Sequence, residues 1–379
     1  MADASMIASR RSFLTKVACL SASAAGGAWL PAGAVQAALH RAERSGNPRI
    51  KISMNAYSFS KLLNDSAKGR ESEMSLMKLI DFCARYDFDG LDATGYFFPG
   101  YPAVPDDKYV NAFKRRAFDS GVDISGTGVR NSQTTADRAV RAASVEHIKQ
   151  WVEVAARLGA PVVRVFADTQ MKSRTWQTVA PGSSRDEVER WMADDFRACA
   201  EHGEKFGVII GVQNHGDFLK TSAEHLSLIN RIDSPWCGPI VDTGYYKTDD
   251  PYQDIAAVAP YAVNWQVKES PIGAGSDVRT DLVKLLTIVR QSGYRGYLPI
   301  ETLSASGQTY DPFVAVPRFL ADLRQAVEAT AAVTPLAENA LLPTEQPARS
   351  AQGAPTDQQS TKPARKPPNK NKRNVTATR

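Results

Sequence analysis

Polar side chains with chemical uses recur where apolar runs of this chain end. Val208–Gln213 runs into Gln213, Asn214 and His215, and Pro239–Asp242 into Asp242 and Thr243. Gln266 and Glu301 close two later runs in the same way. A buried parallel strand reads as a continuous apolar run. In a barrel of such strands, the residues at their C-terminal ends face one common site. Gln213, Asp242, Gln266 and Glu301 then bring four side-chain oxygens toward one point. Hard divalent ions prefer oxygen ligands, so Mg²⁺ or Mn²⁺ suits the set, with Zn²⁺ or Co²⁺ as alternatives. Such an ion polarises a carbonyl and acidifies the adjoining C–H. Asp92, Asn131 and Arg164, near upstream strand ends, and Asn214 are candidates to hold substrate hydroxyls, the arginine in bidentate fashion. The structural alternatives are ion pairs and turn residues, and for the two glutamines plain hydrogen bonding to substrate.

These positions require a particular scaffold. Strand patterns occur at Ile52–Tyr57, Gly90–Thr94, Val122–Thr127, Val162–Phe166, Val208–Gln213, Pro239–Asp242, Ala262–Val267 and Tyr297–Glu301. Helical spacing of apolar residues fills many of the gaps: Ser75–Tyr86, Val145–Leu158, Asp186–Phe206, Ala223–Ile232 and Asp281–Ser292. Leu158-Gly159, Phe206-Gly207 and Ser292-Gly293 place glycine where a helix closes in the left-handed conformation. Eight strands alternating with helices predict an α/β fold, a (β/α)8 barrel over residues 51–330. A doubly wound sheet is the competing architecture, but Asn55-Ala56-Tyr57-Ser58 is not the glycine-rich turn that such a sheet places after its first strand. Gly95–Asp107 and Asp168–Ser184 are long, and both follow strands. They are expected to wall or cover a sugar-sized pocket. The alternative is that they pack on neighbouring loops or on a second copy in a homo-oligomer.

The two ends differ from the middle. Residues 1–37 carry Ser9-Arg10-Arg11-Ser12-Phe13-Leu14, then an Ala/Gly/Ser-rich stretch ending at Val35-Gln36-Ala37. This is the pattern of a twin-arginine export signal, which predicts a periplasmic or extracellular protein that folds before crossing the membrane. Residues 38–50 read as a linker. After residue 37 no stretch approaches the ~20 apolar residues of a membrane span. Residues 331–379 read as a basic Pro/Lys-rich tail, too poor in large apolar groups to offset the entropy of ordering. That tail holds eight Lys/Arg against three Asp/Glu and so carries the whole formal charge of +5. The remainder is near neutral, which argues against a nucleic-acid partner. None of the four cysteines forms a CxxC pair, and Cys83, Cys199 and Cys237 read as small buried hydrophobes.

The strand-end residues resemble the sugar phosphate isomerase/epimerase superfamily, the xylose isomerase-like barrels, over roughly residues 50–330. Asp-Thr-Gly at Asp242–Gly244, Val267-Lys268-Glu269 and the final Glu301 are similar to that family's pattern. The family places Glu, Asp, His and Glu at these strand ends. Asp242 and Glu301 match; Gln213 stands where Glu is usual, and Gln266 where His is frequent. The resemblance implies metal-assisted proton abstraction next to a sugar carbonyl. Gln213 cannot take a proton, so Glu301 is the one carboxylate base of the expected pair. A single base suffices for a 1,2-shift through an enediol, or for β-elimination from a 3-keto-glycoside. His215 and Lys268 are candidates for the second acid/base or for stabilising an enolate oxygen. A sugar-binding barrel without chemistry is the non-enzymatic alternative. A three-zinc DNA-repair nuclease of the same fold needs many histidines, and this chain has five, of which only His215 falls at a strand end.

Overall fold

The computed structural model describes residues 39–40, 44, 46, 48–168, 175–269, 278–303 and 309–336. Eight parallel strands close into a barrel in chain order. They are β1 (Ile50–Asn55), β2 (Gly90–Asp92), β3 (Asp123–Gly128), β4 (Val162–Phe166), β5 (Ile209–Gln213), β6 (Cys237–Asp242), β7 (Asn264–Lys268) and β8 (Gly296–Glu301). Closure is made by β1 against β8, in register from Ile50–Gly296 to Met54–Ile300. Each strand coincides with one of the eight apolar runs of the sequence. The continuous burial of β4 and β6 is what a strand covered on both faces requires.

Among the described residues, ten α-helices lie between or after the strands. They are α1 (Ser60–Ala67), α2 (Leu76–Arg85), α3 (Asp107–Asp119), α4 (Arg138–Leu158), α5 (Trp176–Val179), α6 (Arg185–Phe206), α7 (Ser222–Ile232), α8 (Pro251–Val258), α9 (Leu282–Gln291) and α10 (Pro312–Ala329). Side-chain caps fix most of their starts, though not that of α1. Ser184 with Glu187, and Thr221 with Glu224, form reciprocal capping boxes on α6 and α7. Gly159 and Gly207 end α4 and α6 at φ of 80° and 69°, in the left-handed region. Helix α4 starts at Arg138, a full two turns before the expected Val145, because Asp137 caps it there through the N–H groups of Ala139 and Val140. The free Cys83, Cys199 and Cys237 are all buried.

Both margins of the barrel extend further than expected. Arg44, in the supposed linker, donates to Ala262 O at 2.8 Å and lies over the Tyr294 ring. Past residue 330, Leu336 N donates to Gln291 O at 2.9 Å, so the chain still follows the barrel where the tail was expected to begin. The export signal over residues 1–37 and nearly all of the basic tail lie outside the described residues. Among the described residues no helix is long and apolar enough to cross a membrane.

Candidate active site

The floor of the barrel mouth is one buried polar network. Asp92 ends β2, Arg164 lies in β4, Gln213 ends β5, Asp242 ends β6 and Glu301 ends β8. Gln266 and Lys268 are two apart in β7, so both point to the same face of the strand. Arg164 Nη1 donates to Gln213 Oε1 at 3.1 Å, and Gln213 Nε2 donates to Asp242 Oδ2 at 2.5 Å. Lys268 Nζ lies 2.5 Å from Glu301 Oε1 and 3.5 Å from Asp242 Oδ2. Asn55, the last residue of β1, donates to Glu301 Oε2 at 2.8 Å and also to Gln266 Oε1. Gln266 Nε2 in turn reaches Asp92 Oδ2 at 3.1 Å.

Neighbours dictate which way each amide faces. A guanidinium only donates, so Gln213 must turn its oxygen to Arg164 and its nitrogen to Asp242. The Tyr57 backbone N–H donates to Asn55 Oδ1 at 2.8 Å. That turns Asn55 Nδ2 toward Glu301 and Gln266, which leaves the Gln266 nitrogen for Asp92. Arg164 can cross β3 only because residue 128 is glycine: a Cβ there would stand 2.9 Å from Arg164 Nε. That Nε and Asp92 Oδ1 are buried without a hydrogen-bond partner.

Three carboxylates, Asp92, Asp242 and Glu301, thus face two cations. Burial pushes the Asp92 and Asp242 carboxyls up, and Arg164 and Lys268 respectively pull them back. Burial also works against the Lys268 ammonium, but Asp242 and then Glu301 outweigh it and hold the amine above its ordinary range. Arg164 is held charged in the same way, by Tyr96 and Asp92.

Above this floor the lip carries a second constellation. His215, two residues past β5, sets Nδ1 2.5 Å from Oδ2 of Asp168, two residues past β4. The His215 side chain is 31% exposed, whereas Asp168 is buried at 5%. With Asp168 Oδ2 accepting from Nδ1–H, Nε2 carries the lone pair of the neutral ring. The ring rests on Tyr245 at 4.0 Å between centroids, with Phe166 edge-on at 5.1 Å. Lys268 Nζ lies 5.9 Å from the Tyr245 ring centre, so Tyr245 joins lip to floor. Gly216, at φ 77°, passes so close to Asp168 that a Cβ would meet its side chain at 2.5 Å.

Of the residues expected to hold substrate, Asp92 and Arg164 belong to the floor, but Asn131 and Asn214 do not serve that role. Asn131 accepts from Phe166 N and donates to Phe166 O, both at 2.8 Å, with a further contact to Gln133. Asn214 accepts from Asp242 N at 2.7 Å and donates to Asp242 O at 2.9 Å. Each asparagine staples its strand end to the next strand, so its polar atoms are spent on backbone. The aromatic connection is likewise divided. Phe98 is core, packed against Phe113 and Trp151, while Tyr96 and Phe97 pack on Tyr57 beside the mouth. Of the other connection, residues 169–174 lie outside the described residues, and Trp176 packs edge-on against Phe218. A cavity of about 610 Å³ opens beside the network, between Tyr57, Thr302, Tyr310 and Phe313, and none of the floor residues lines it.

Asn55, Asp168 and Tyr245 were missed by sequence reasoning. Asn55 and Asp168 obey the strand-end rule that found the others. Tyr245 directly follows the Asp-Thr-Gly segment.

The fold has close parallels among known proteins. Residues 80–331 match the family model described as xylose isomerase-like TIM barrel. The chain belongs to that family. Xylose isomerase-like barrels of solved structure include a 3-keto-D-glucoside 4-epimerase from E. coli, at 16% identity and TM-score 0.56, covering 73% of this chain and 99% of that one. They include a D-allulose 3-epimerase from Methylomonas sp., at 17% and 0.58, covering 74% and 100%. An L-ribulose 3-epimerase gives 16% and 0.59, covering 74% and 96%. At these identities the likeness is one of fold. No curated protein matches the sequence.

The divalent ion that the resemblance implies fits this floor poorly. Its four expected ligands do converge, but their donor atoms are already engaged. Both glutamine oxygens accept from buried donors, Arg164 and Asn55. The two carboxylates share the Lys268 ammonium. Among the described residues no group of three His, Cys, Asp or Glu is placed to hold a metal.

Proposed function

We propose that this protein is an exported isomerase/epimerase-class enzyme that removes a proton next to the carbonyl of a sugar or keto-sugar. The observation that carries the reading is the His215–Asp168 pair at the lip, packed on Tyr245, with the buried Lys268 ammonium 5.9 Å from the centre of that same ring. His215 Nε2 takes the proton from the C–H beside the carbonyl. Asp168 holds the imidazole in the tautomer that leaves Nε2 free, and steadies the imidazolium that forms. The carbonyl oxygen gains negative charge as the enediolate develops, and the Lys268 ammonium is the group assigned to stabilise it. Transfer of the adjoining hydroxyl proton to the former carbonyl oxygen, and return of the carbon-bound proton from His215 to the former carbonyl carbon, complete a 1,2-shift.

This reading moves the base from Glu301, the sequence-based choice, to His215. Glu301 is 3% exposed, and its two oxygens are taken by Lys268 and Asn55. Its role is to position Lys268.

The substrate is unphosphorylated. Both floor cations are matched by carboxylates, which leaves no uncompensated pair of charges there for a phosphate. Export through the twin-arginine signal agrees, because phosphorylated sugars are mainly cytoplasmic. Replacing Arg10 and Arg11 by lysine is expected to retain the protein in the cytoplasm; periplasmic recovery of that variant would contradict the route.

A second reading is favoured by one observation: among the described residues the lip offers one candidate base, His215. One-faced proton removal followed by loss of a β-substituent is elimination, so a 3-keto-glycoside lyase is the alternative chemistry. Incubation of ketoses and 3-keto-glucosides with the enzyme in D₂O, followed by NMR, tests both. An isomerase exchanges or shifts hydrogen beside the carbonyl and keeps the aglycone; a lyase releases it. Sugar binding without either event would leave a non-catalytic barrel.

A further inference from the structure

The disagreement between floor and metal has a definite shape. A divalent ion in this mouth needs the side-chain oxygens of residues 213, 242, 266 and 301 to converge and stay available. Instead Lys268 Nζ stands between Asp242 Oδ2 and Glu301 Oε1, at 3.5 and 2.5 Å. The Lys268 side chain is 6% exposed, and both carboxylates are buried, Asp242 wholly so. Two buried carboxylates side by side demand a cation, since an unpaired buried charge is strongly destabilising. Here the chain supplies that cation itself. Around it, Gln213 spans Arg164 and Asp242, and Gln266 spans Asn55 and Asp92, so the amides tie the network together. The amide at 213 also lowers the negative charge of the mouth relative to the Glu usual there. Three carboxylates against Arg164 and Lys268 leave one excess negative charge, and a divalent ion would overshoot it.

We propose that the Lys268 ammonium occupies the cation seat of this barrel, so that the protein binds no divalent ion there and Lys268 itself is the group that faces the substrate oxygen. The first half does not depend on which sugar is bound or on which residue is the base. The second half rests on the proton-abstraction reading above.

The test is metal binding by the full folded chain, stripped with EDTA, desalted, and titrated with Mn²⁺ by calorimetry, with elemental analysis after a second desalting. The wild-type chain is expected to retain no stoichiometric Mn²⁺ and to show no Mn²⁺-dependent rise in Tm. The Lys268→Ala/Gln213→Glu chain empties the seat and adds a carboxylate. It is expected to take up one Mn²⁺ per chain, to gain Tm with the ion, and to lose both when Asp242→Asn is added. One Mn²⁺ retained per wild-type chain and lost on Asp242→Asn would overturn the proposal. So would a double variant with wild-type circular dichroism that takes up no ion. If the double variant does not fold, Lys268→Met/Gln213→Glu keeps the side-chain volume, and the wild-type titration alone still decides the first half. These readouts are independent of turnover, so failure here is separable from failure of the sugar assignment.

Discussion

At the scale of single residues, the account rests on how His215 is held. His215→Gln keeps the ring's neighbours but removes the base, and kcat is expected to fall by about 10²–10⁴-fold with KM little changed. Asp168→Asn loses the tautomer control and is expected to cost about 10²-fold or more in kcat. Gly216→Ala is the more telling substitution. Its φ of 77° is costly for alanine, by about 1 kcal/mol, and its Cβ would push against Asp168. It is therefore expected to fold, with a lower Tm, and to lose kcat much as Asp168→Asn does; full activity in steady-state kinetics would detach Asp168 from the chemistry. Much of this site was legible in advance because strand-end position is a rule of the fold. Asp92, Arg164, Gln213, Asp242, Gln266, Lys268 and Glu301 all followed from it. The pairings among them were not, because they join residues from different strands, such as Asn55 with Glu301, 246 positions apart. The asparagines 131 and 214 were misread for a related reason. A strand-end asparagine looks the same in sequence whether it faces a ligand or staples the next strand.

At the scale of elements, α7 is tied to the barrel by a buried histidine. His225 Nε2 donates to Val212 O of β5 at 2.9 Å, and its Nδ1 accepts from Tyr246 Oη at 2.9 Å. Both contacts require the neutral ring. Burial pushes its pKa down to about 4, against an ordinary 6.5. The folded state therefore binds fewer protons than the unfolded chain between those values. Stability from this group is complete above pH 6.5 and is lost as pH falls toward 4, by on the order of 3 kcal/mol in all. Denaturant titrations over that window should show the loss, and His225→Phe should flatten it; an unchanged slope in the variant would assign the effect to other groups. The caps are a second handle. Thr221→Ala removes the capping box of α7 and is expected to cost about 1 kcal/mol by the same titrations. Strands and the long helices were readable from their period and their closing glycines. Helix α4 was read short because Arg138–Ser144 has little apolar periodicity, and its start depends on the Asp137 cap.

For the whole molecule, the barrel is a frame that brings eight strand ends to one mouth. The tail has few large apolar groups, so removing residues 342–379 is expected to leave Tm and turnover unchanged; a fall in either would show that it supports the barrel. The central claim is proton removal beside a carbonyl by a histidine of the lip. The most direct measurement is solvent deuterium incorporation into keto-sugars, followed by NMR, with EDTA present, for the wild-type and His215→Gln chains. The account predicts that the wild-type chain introduces deuterium beside the carbonyl and that His215→Gln does not. Keto-sugars that bind without exchange, or exchange that survives His215→Gln, would contradict it.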